Sequence, residues 1–226
     1  MTNNVTIVNG NIFNTKAQTI VNTVNCVGVM GKGIALVFKL RYPKMFDIYC
    51  QYCADHLIEI GKLWLYKGES NAPWVLNFPT KTHWKLPSEY DYIEAGLRKF
   101  VDTYKERGIT SIAFPLLGAS NGGLNQDIVL DIMYKYLKEC EIPVEIYQYD
   151  PNVPDDLFDT FKSNWMKLTA DQKKKLLHSS RRAETIDNAL ESNDVHSMIA
   201  LIDYPGIGLK TMENCYGFVM SSYDSL

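Results

Sequence analysis

Three observations predict an α/β fold: a mixed, mostly parallel central sheet covered by helices on both faces, in three layers. Short apolar runs rich in Val, Ile and Phe alternate with longer stretches of helical periodicity over roughly the first 150 residues. Glycine-rich turns lead from two of those runs straight into helices, the connection that parallel strands need. With 226 residues and 46% hydrophobic content, the chain can bury one full core and leave a small second module.

Taken in order, Val5 to Val8 and Ile20 to Val24 read as strands. A loop rich in Asn and Gly follows, then a helix from Ile34 to about Arg41. Pro43 suits the first turn of a helix running to about His56. Leu63 to Tyr66 and Trp74 to Phe78 are the next strands, joined by a turn at Gly68-Glu69-Ser70-Asn71, and Pro79 turns the chain away. Ser88 is placed to cap a helix from Glu89 to about Glu106, with Gly108 just past its end. Ser111 to Phe114 reads as a buried strand, Gln126 to Cys140 as a helix and Val144 to Tyr149 as the last strand. In such sheets ligands sit at the carboxyl ends of the strands, where both glycine loops fall.

Those loops suggest a phosphorylated ligand. In the first, Ile20 to Ala35 reads IVNTVNCVGVMGKGIA, and Gly28, Gly31 and Gly33 allow positive φ and close backbone approach. The helix behind it would aim unpaired N–H groups and a positive dipole end at an anion. Asn22 and Asn25 add amides suited to ribose hydroxyls. Gly31-Lys32-Gly33 is no NTPase phosphate loop, because Ser or Thr is missing after the lysine and Cys26 stands where a glycine is needed. The second loop, PLLGASNGGL from Pro115 to Leu124, repeats the logic with Gly118, Gly122 and Gly123. Two such loops imply a crevice gripping a diphosphate from both sides, although either alone is also a routine connector.

NTVNCVGVMGKGIA, PLLGASNGGL and Asn77-Phe78-Pro79-Thr80-Lys81 together resemble the macrodomain family, most closely the DarG-type DNA ADP-ribose glycohydrolases. The resemblance covers residues 1–152 and leaves 153–226 as a separate helical extension. It implies a macrodomain-like three-layer fold and a site for ADP-ribose or ADP-ribosylated DNA. The ligand-binding residues it implies are Asn11, Ile12, Asn25, Gly28, Val29, Met30, Gly31, Lys32 and Gly33 on one side. On the other they are Leu117, Gly118, Ala119, Ser120, Asn121, Gly122, Gly123 and Leu124. No cofactor is implied.

The resemblance further assigns catalysis to Lys81 and Asn22. A lysine desolvated in a cleft can lose its proton and act as nucleophile or base, or stay charged and stabilise developing negative charge. Lys81 matches the lysine on which family glycohydrolases depend, while Asn22 would orient the distal ribose for attack at its anomeric carbon. Without the resemblance, the lesser alternatives are that Lys81-Thr82-His83-Trp84-Lys85 is a solvated loop and that Asn22 only ties down its own loop. Asn11 stands where many macrodomains carry an aspartate for the adenine amino group, and Tyr147 or Tyr149 is a candidate to stack on adenine. Asn125-Gln126 replaces an expected Asp-Trp pair, and Ala119-Ser120 replaces Cys-Gly. Asn125 cannot take a proton, so a carboxylate requirement would make the chain a slow hydrolase or a binder. Asp127 could compensate only if its helix started in a shifted register.

Residues 153–226 are charged and helix-rich, with 8 Lys+Arg against 11 Asp+Glu from residue 155 onward. Pro205 to Thr211 (PGIGLKT) resembles the hairpin of a helix-hairpin-helix motif, with Met198 to Ile202 ending its first helix. Gly206, Gly208 and Lys210 would then meet a DNA phosphate; a plain turn between helices is the alternative. Lys173-Lys174-Lys175 and Arg181-Arg182 read as solvated helix faces, and the net charge of −3 does not suggest a basic nucleic-acid domain. The five cysteines lack disulfide-like spacing, which fits a reducing compartment. Cys50, Cys53 and His56 share a helical face but have no second cluster to complete a metal site. No apolar stretch approaches the ~20 residues of a membrane span, and the polar start is unlike a signal peptide, so a cytoplasmic protein is expected.

Three functions are open at this point. The first is hydrolysis of the N-glycosidic bond between ADP-ribose and a DNA base, an antitoxin-like reversal of a cognate ADP-ribosyltransferase toxin. The second is binding or sequestering ADP-ribose, or a related NAD-derived nucleotide, without turnover. The third is a phosphatase acting on ADP-ribose 1''-phosphate.

Overall fold

The computed structural model describes residues 4–68 and 72–223. The chain divides into two compact units, Met1–Tyr149 and Asp150–Leu226. The expected turn at 68–71 lies largely outside the described residues.

In the first unit the strands are β1 (Val5–Gly10), β2 (Thr19–Asn25), β3 (Trp64–Tyr66), β4 (Trp74–Lys81), β5 (Ile112–Pro115) and β6 (Val144–Tyr149). They form one sheet in the order β1-β6-β5-β2-β4-β3. All neighbours are parallel except β3, which pairs antiparallel with β4. The helices are α1 (Gly33–Arg41), α2 (Pro43–Ala54), α3 (Tyr90–Arg107) and α4 (Gln126–Leu137). Side-chain alternation along the strands builds the two outer layers. Val21, Leu76, Phe78 and Phe114 pack with Leu97 and Phe100 of α3 and Val129 and Met133 of α4. Ile20, Val24 and Val75 face the other way, onto Phe38, Met45 and Tyr49 of α1 and α2. At Gly96 on α3 an added Cβ would lie 2.1 Å from the Phe78 ring, so the helix rests directly on β4.

Three local expectations need correction. β4 does not end at Phe78 but runs through Pro79 to Lys81. Proline is tolerated because β3 pairs only with Val75 to Asn77, leaving that flank of β4 an open edge beyond Asn77. Ser88 does not cap α3: Glu89 takes the cap position without a side-chain bond, and the Ser88 N–H donates to the Gly122 carbonyl at 3.0 Å. α2 and α4 stop at Ala54 and Leu137, short of the expected ends. Gly108 closes α3 in the left-handed conformation, as its position suggests (φ +76).

The second unit holds α5 (Phe158–Met166), α6 (Ala170–Leu177), α7 (Ser180–Glu191) and α8 (Leu209–Tyr223). Thr169 and Gln172 form a reciprocal capping box at the start of α6. Asp187 accepts from the Trp165 indole and the Lys173 ammonium, each at 2.7 Å. Lys173 therefore belongs to the inside of this unit, while Lys174 and Lys175 stay exposed.

Met198 to Ile202 is not the end of a helix. Only a 3-10 turn forms, Ala200–Asp203, because the Asp155 carboxylate takes the Met198 N–H at 2.6 Å and Ser197 takes that of Ala200. The hairpin thus lacks its first helix. Gly206 adopts φ +90, Gly208 precedes α8, and Lys210 pairs with Glu213 at 3.2 Å. No described helix is long and apolar enough to cross a membrane.

Candidate functional site

The parallel strands β1, β2, β4, β5 and β6 bring their carboxyl ends to one edge of the sheet, and both glycine loops leave from it. The first loop is organised by Asn25. Its Oδ1 accepts from Val27 and Val29 N–H at 3.0 and 3.3 Å, and its Nδ2 donates to the Val29 carbonyl at 2.6 Å. Tyr49 donates to the Asn25 carbonyl at 2.6 Å from below. The amide of Asn25 thus holds its own loop through both of its polar atoms. Gly28 and Gly33 take φ +79 and +56, and Lys32 precedes α1 without a side-chain cap. First-turn amides of α1 thus remain for an anion beside the exposed Gly31, Lys32 and Gly33.

The second loop is held by close packing. A Cβ on Gly122 would lie 2.2 Å from the Gly118 carbonyl oxygen and 2.4 Å from Ser88 Oγ. Gly118 has φ +69 and is pressed against Ser88 and Leu124. Leu117 and Ala119 turn their side chains into the protein, so they can meet a ligand only through their backbone. Ser120, Asn121 and Gly123 are exposed. Asn121 reaches across to the first loop: its Nδ2 occupies the place of a Gly33 side chain, 2.6 Å from where that Cβ would be.

Lys81 lies where the loops meet. A register shift between Val24 and Asn25 sets Asn25 opposite Lys81. The Lys81 carbonyl accepts from Cys26 Sγ at 3.3 Å, and its ammonium donates to the Asn121 carbonyl. Partial burial holds this amine below the ordinary lysine range. Burial, reinforced by Cys53 and Glu59, pushes the Cys26 thiol up to about 11, so it stays a neutral donor.

Asn22 lies on β2 beside Asn77 of β4. It is 0% exposed, donates to Asn77 Oδ1 at 2.9 Å and touches Met30 Sδ at 3.9 Å. Its own Oδ1 has no hydrogen-bond partner. Met30, itself 2% exposed, is the first-loop side chain in contact with Asn22. Asn11 is also buried, its Oδ1 capping a 3-10 turn (Ile12–Asn14) through the Phe13 N–H at 3.2 Å. Ile12 and Met30 belong to the core beneath the loop. Tyr149 is 56% exposed at the end of β6, whereas Tyr147 is 8% exposed and packs with Ile12. Asn125 caps α4 through the N–H groups of Asp127 and Ile128, at 3.0 and 3.2 Å. The helix starts at Gln126, so no shifted register brings Asp127 to that place. Tyr49, Asn77 and Ser88 carry parts of the site that local sequence does not reveal, since each acts across the sheet or between distant loops. Among the described residues no group of three His, Cys, Asp or Glu could hold a metal.

The Macro domain model matches residues 21–133. The chain belongs to the macrodomain family. This macrodomain is 40% identical over 173 residues to a DNA ADP-ribosyl transferase-DNA ADP-ribosyl glycohydrolase fusion protein of Thermosipho africanus, covering 69% of this chain and 45% of that one. Thermosipho africanus DarTG in complex with ADP-ribose superposes with TM-score 0.63 at 43% identity, over 66% of this chain and 42% of that one. The macrodomain of Mycobacterium tuberculosis DarG superposes with TM-score 0.61 at 40% identity, over 63% of this chain and 96% of that one. The three-layer α/β/α macrodomain fold is thereby established. The chain spans less than half the length of the curated relatives it matches at 40–41% identity.

Proposed function

We propose that this macrodomain removes ADP-ribose from modified DNA bases, reversing the work of a DNA ADP-ribosyltransferase that is its cognate toxin. The observation that carries the reading is Lys81, at the end of β4, whose amine is partly buried and which is bonded through backbone and side chain to the two glycine loops. The similarity to a glycohydrolase fused to its transferase supports it, as does the similarity to a structure holding ADP-ribose. In this reading the first-turn amides of α1 and the backbone of Ser120 to Gly123 take the diphosphate. The exposed Tyr149 lies beside adenine. Asn22 Oδ1 receives a ribose hydroxyl once Met30 shifts, which relieves a buried acceptor.

Lys81 acts as nucleophile or as base. As nucleophile, its Nζ bonds to the anomeric carbon as the N-glycosidic bond breaks and the DNA base leaves, and water then releases the sugar. As base, it activates water that displaces the DNA base from the same carbon. Both routes need the neutral amine. Because burial lowers its pKa, turnover rises with pH and levels off below the pH at which a free lysine titrates. Five free thiols fit the reducing, cytoplasmic setting in which such a pair would work. The test is incubation of ADP-ribosylated single-stranded DNA with the chain and with Lys81→Ala, following free ADP-ribose and unmodified DNA by mass spectrometry. Release by the unaltered chain alone supports the reading; release by both proteins, or by neither, overturns it.

One observation favours a second reading, a sequestering module without turnover: Asn125 spends its amide oxygen on the α4 cap and offers no carboxylate. Under that reading the chain and Lys81→Ala both retain ADP-ribose and neither releases it from DNA.

A further inference from the structure

β4 runs out of the site into an exposed turn, Thr82 to Pro87, before α3. The turn is ordered from within: Leu86 N–H donates to the His83 carbonyl at 3.0 Å, and Lys85 N–H donates to His83 Nδ1 at 3.2 Å. It presents Trp84, 48% exposed, with Leu86 alongside. Trp64, Trp74 and Trp165 are all partly or fully buried, so Trp84 is the one exposed tryptophan of the four. The imidazole of His83 stacks on its indole, centroids 5.8 Å apart and planes 25° apart. The Lys85 ammonium lies 5.0 Å from the indole centroid. From Pro79 to Pro87 the chain carries two lysines and a histidine but no carboxylate.

An indole costs apolar surface when left in water, and nothing in the turn's own hydrogen bonding requires one. Aromatic faces flanked by cations and free of acids are what a nucleic-acid strand needs: every base offers a π-face, and every linkage offers a phosphate. Trp84 stands three residues beyond Lys81, a chain reach of at most about 10 Å. Nucleotides next to the reacting one, about 3.4 Å apart when stacked, fall within that span.

We propose that His83, Trp84 and Lys85 form a stacking platform for the nucleotide flanking the ADP-ribosylated base of a single-stranded DNA substrate. The inference rests on the DNA-glycohydrolase reading above and assigns that reading its strand-recognition element. The flanking base lies on the Trp84 face left open by His83, and Lys85 swings from the ring to a phosphate. The platform tolerates any base, because it reads no hydrogen-bonding edge.

The experiment measures binding of an ADP-ribosylated oligonucleotide, free ADP-ribose and an ADP-ribosylated peptide to the full chain carrying Lys81→Ala, with and without Trp84→Ala. Oligonucleotide affinity is expected to fall about tenfold with Trp84→Ala, to recover with Trp84→Phe, and to weaken with salt. Affinity for free ADP-ribose, which also reports correct folding, is expected to hold. Equal oligonucleotide affinity with and without Trp84 would overturn the platform. An equal loss on the peptide would overturn DNA as its occupant and assign the surface to protein. Turnover by the unaltered chain separates the two ideas. Release of ADP-ribose from DNA without Trp84 dependence leaves the hydrolase and removes the platform; Trp84-dependent binding without release does the reverse.

Discussion

The two glycine loops look alike in sequence, yet they are held in different ways. The first is tied by hydrogen bonds from one side chain, Asn25, with Tyr49 bracing it from below. Gly28 serves backbone angle, Gly33 serves both angle and the room that Asn121 Nδ2 takes, and an added Cβ on Gly31 would meet only ordinary contact, 3.8 Å from Val29 Cγ1. The second is wedged against Ser88, and Gly122 is there because nothing larger fits. A glycine-rich loop is thus not one device: some of its glycines answer to φ, others to volume, and only the structure separates them.

The largest effect is expected at Gly122. Gly122→Ala drives a methyl into a backbone carbonyl that cannot yield, so it should cost about 3 kcal/mol, the upper end of overpacking. Denaturant unfolding should register the loss, and calorimetry should show ADP-ribose affinity falling with it. Asn25→Ala comes next: it removes the acceptor for two N–H groups and the donor to Val29, a loss of about 2 kcal/mol, read as a lower Tm. Tyr49→Phe deletes only the hydroxyl that donates to the Asn25 carbonyl and should cost about 1 kcal/mol by the same measurement. Gly31→Ala is the smallest, with stability changed by no more than about 0.5 kcal/mol. Its ADP-ribose affinity should nonetheless fall, because a ligand must approach the bare backbone there. Unchanged affinity would mean that the ligand keeps its distance from Gly31.

Much of the first unit was legible because its strands and helices obey local rules. Val144 to Tyr149 is a strand as its apolar run suggests, and Gly108 ends α3 as its position suggests. What escaped depends on partners far along the chain. Proline at 79 reads as a break until one sees that β3 stops short and leaves that flank of β4 unpaired. Met198 to Ile202 reads as helix until Asp155, some forty residues earlier, claims the Met198 N–H. Ser88 has the look of a cap but is held by Gly122 in the other loop. The site divides the same way. Lys81 could be singled out from its motif, whereas the contact of Asn22 with Met30 and the use of the Asn25 amide could not.

Gly96 carries a lesson about where the reach of the site ends. The ring of Phe78 occupies the space its side chain would need, and Phe78 is three residues before Lys81 on the same strand. The course of β4 toward Lys81 is therefore set partly by a missing methyl group on α3. Adding that methyl would press on β4 from the α3 side, so a substitution remote from both glycine loops is expected to shift the strand that carries Lys81.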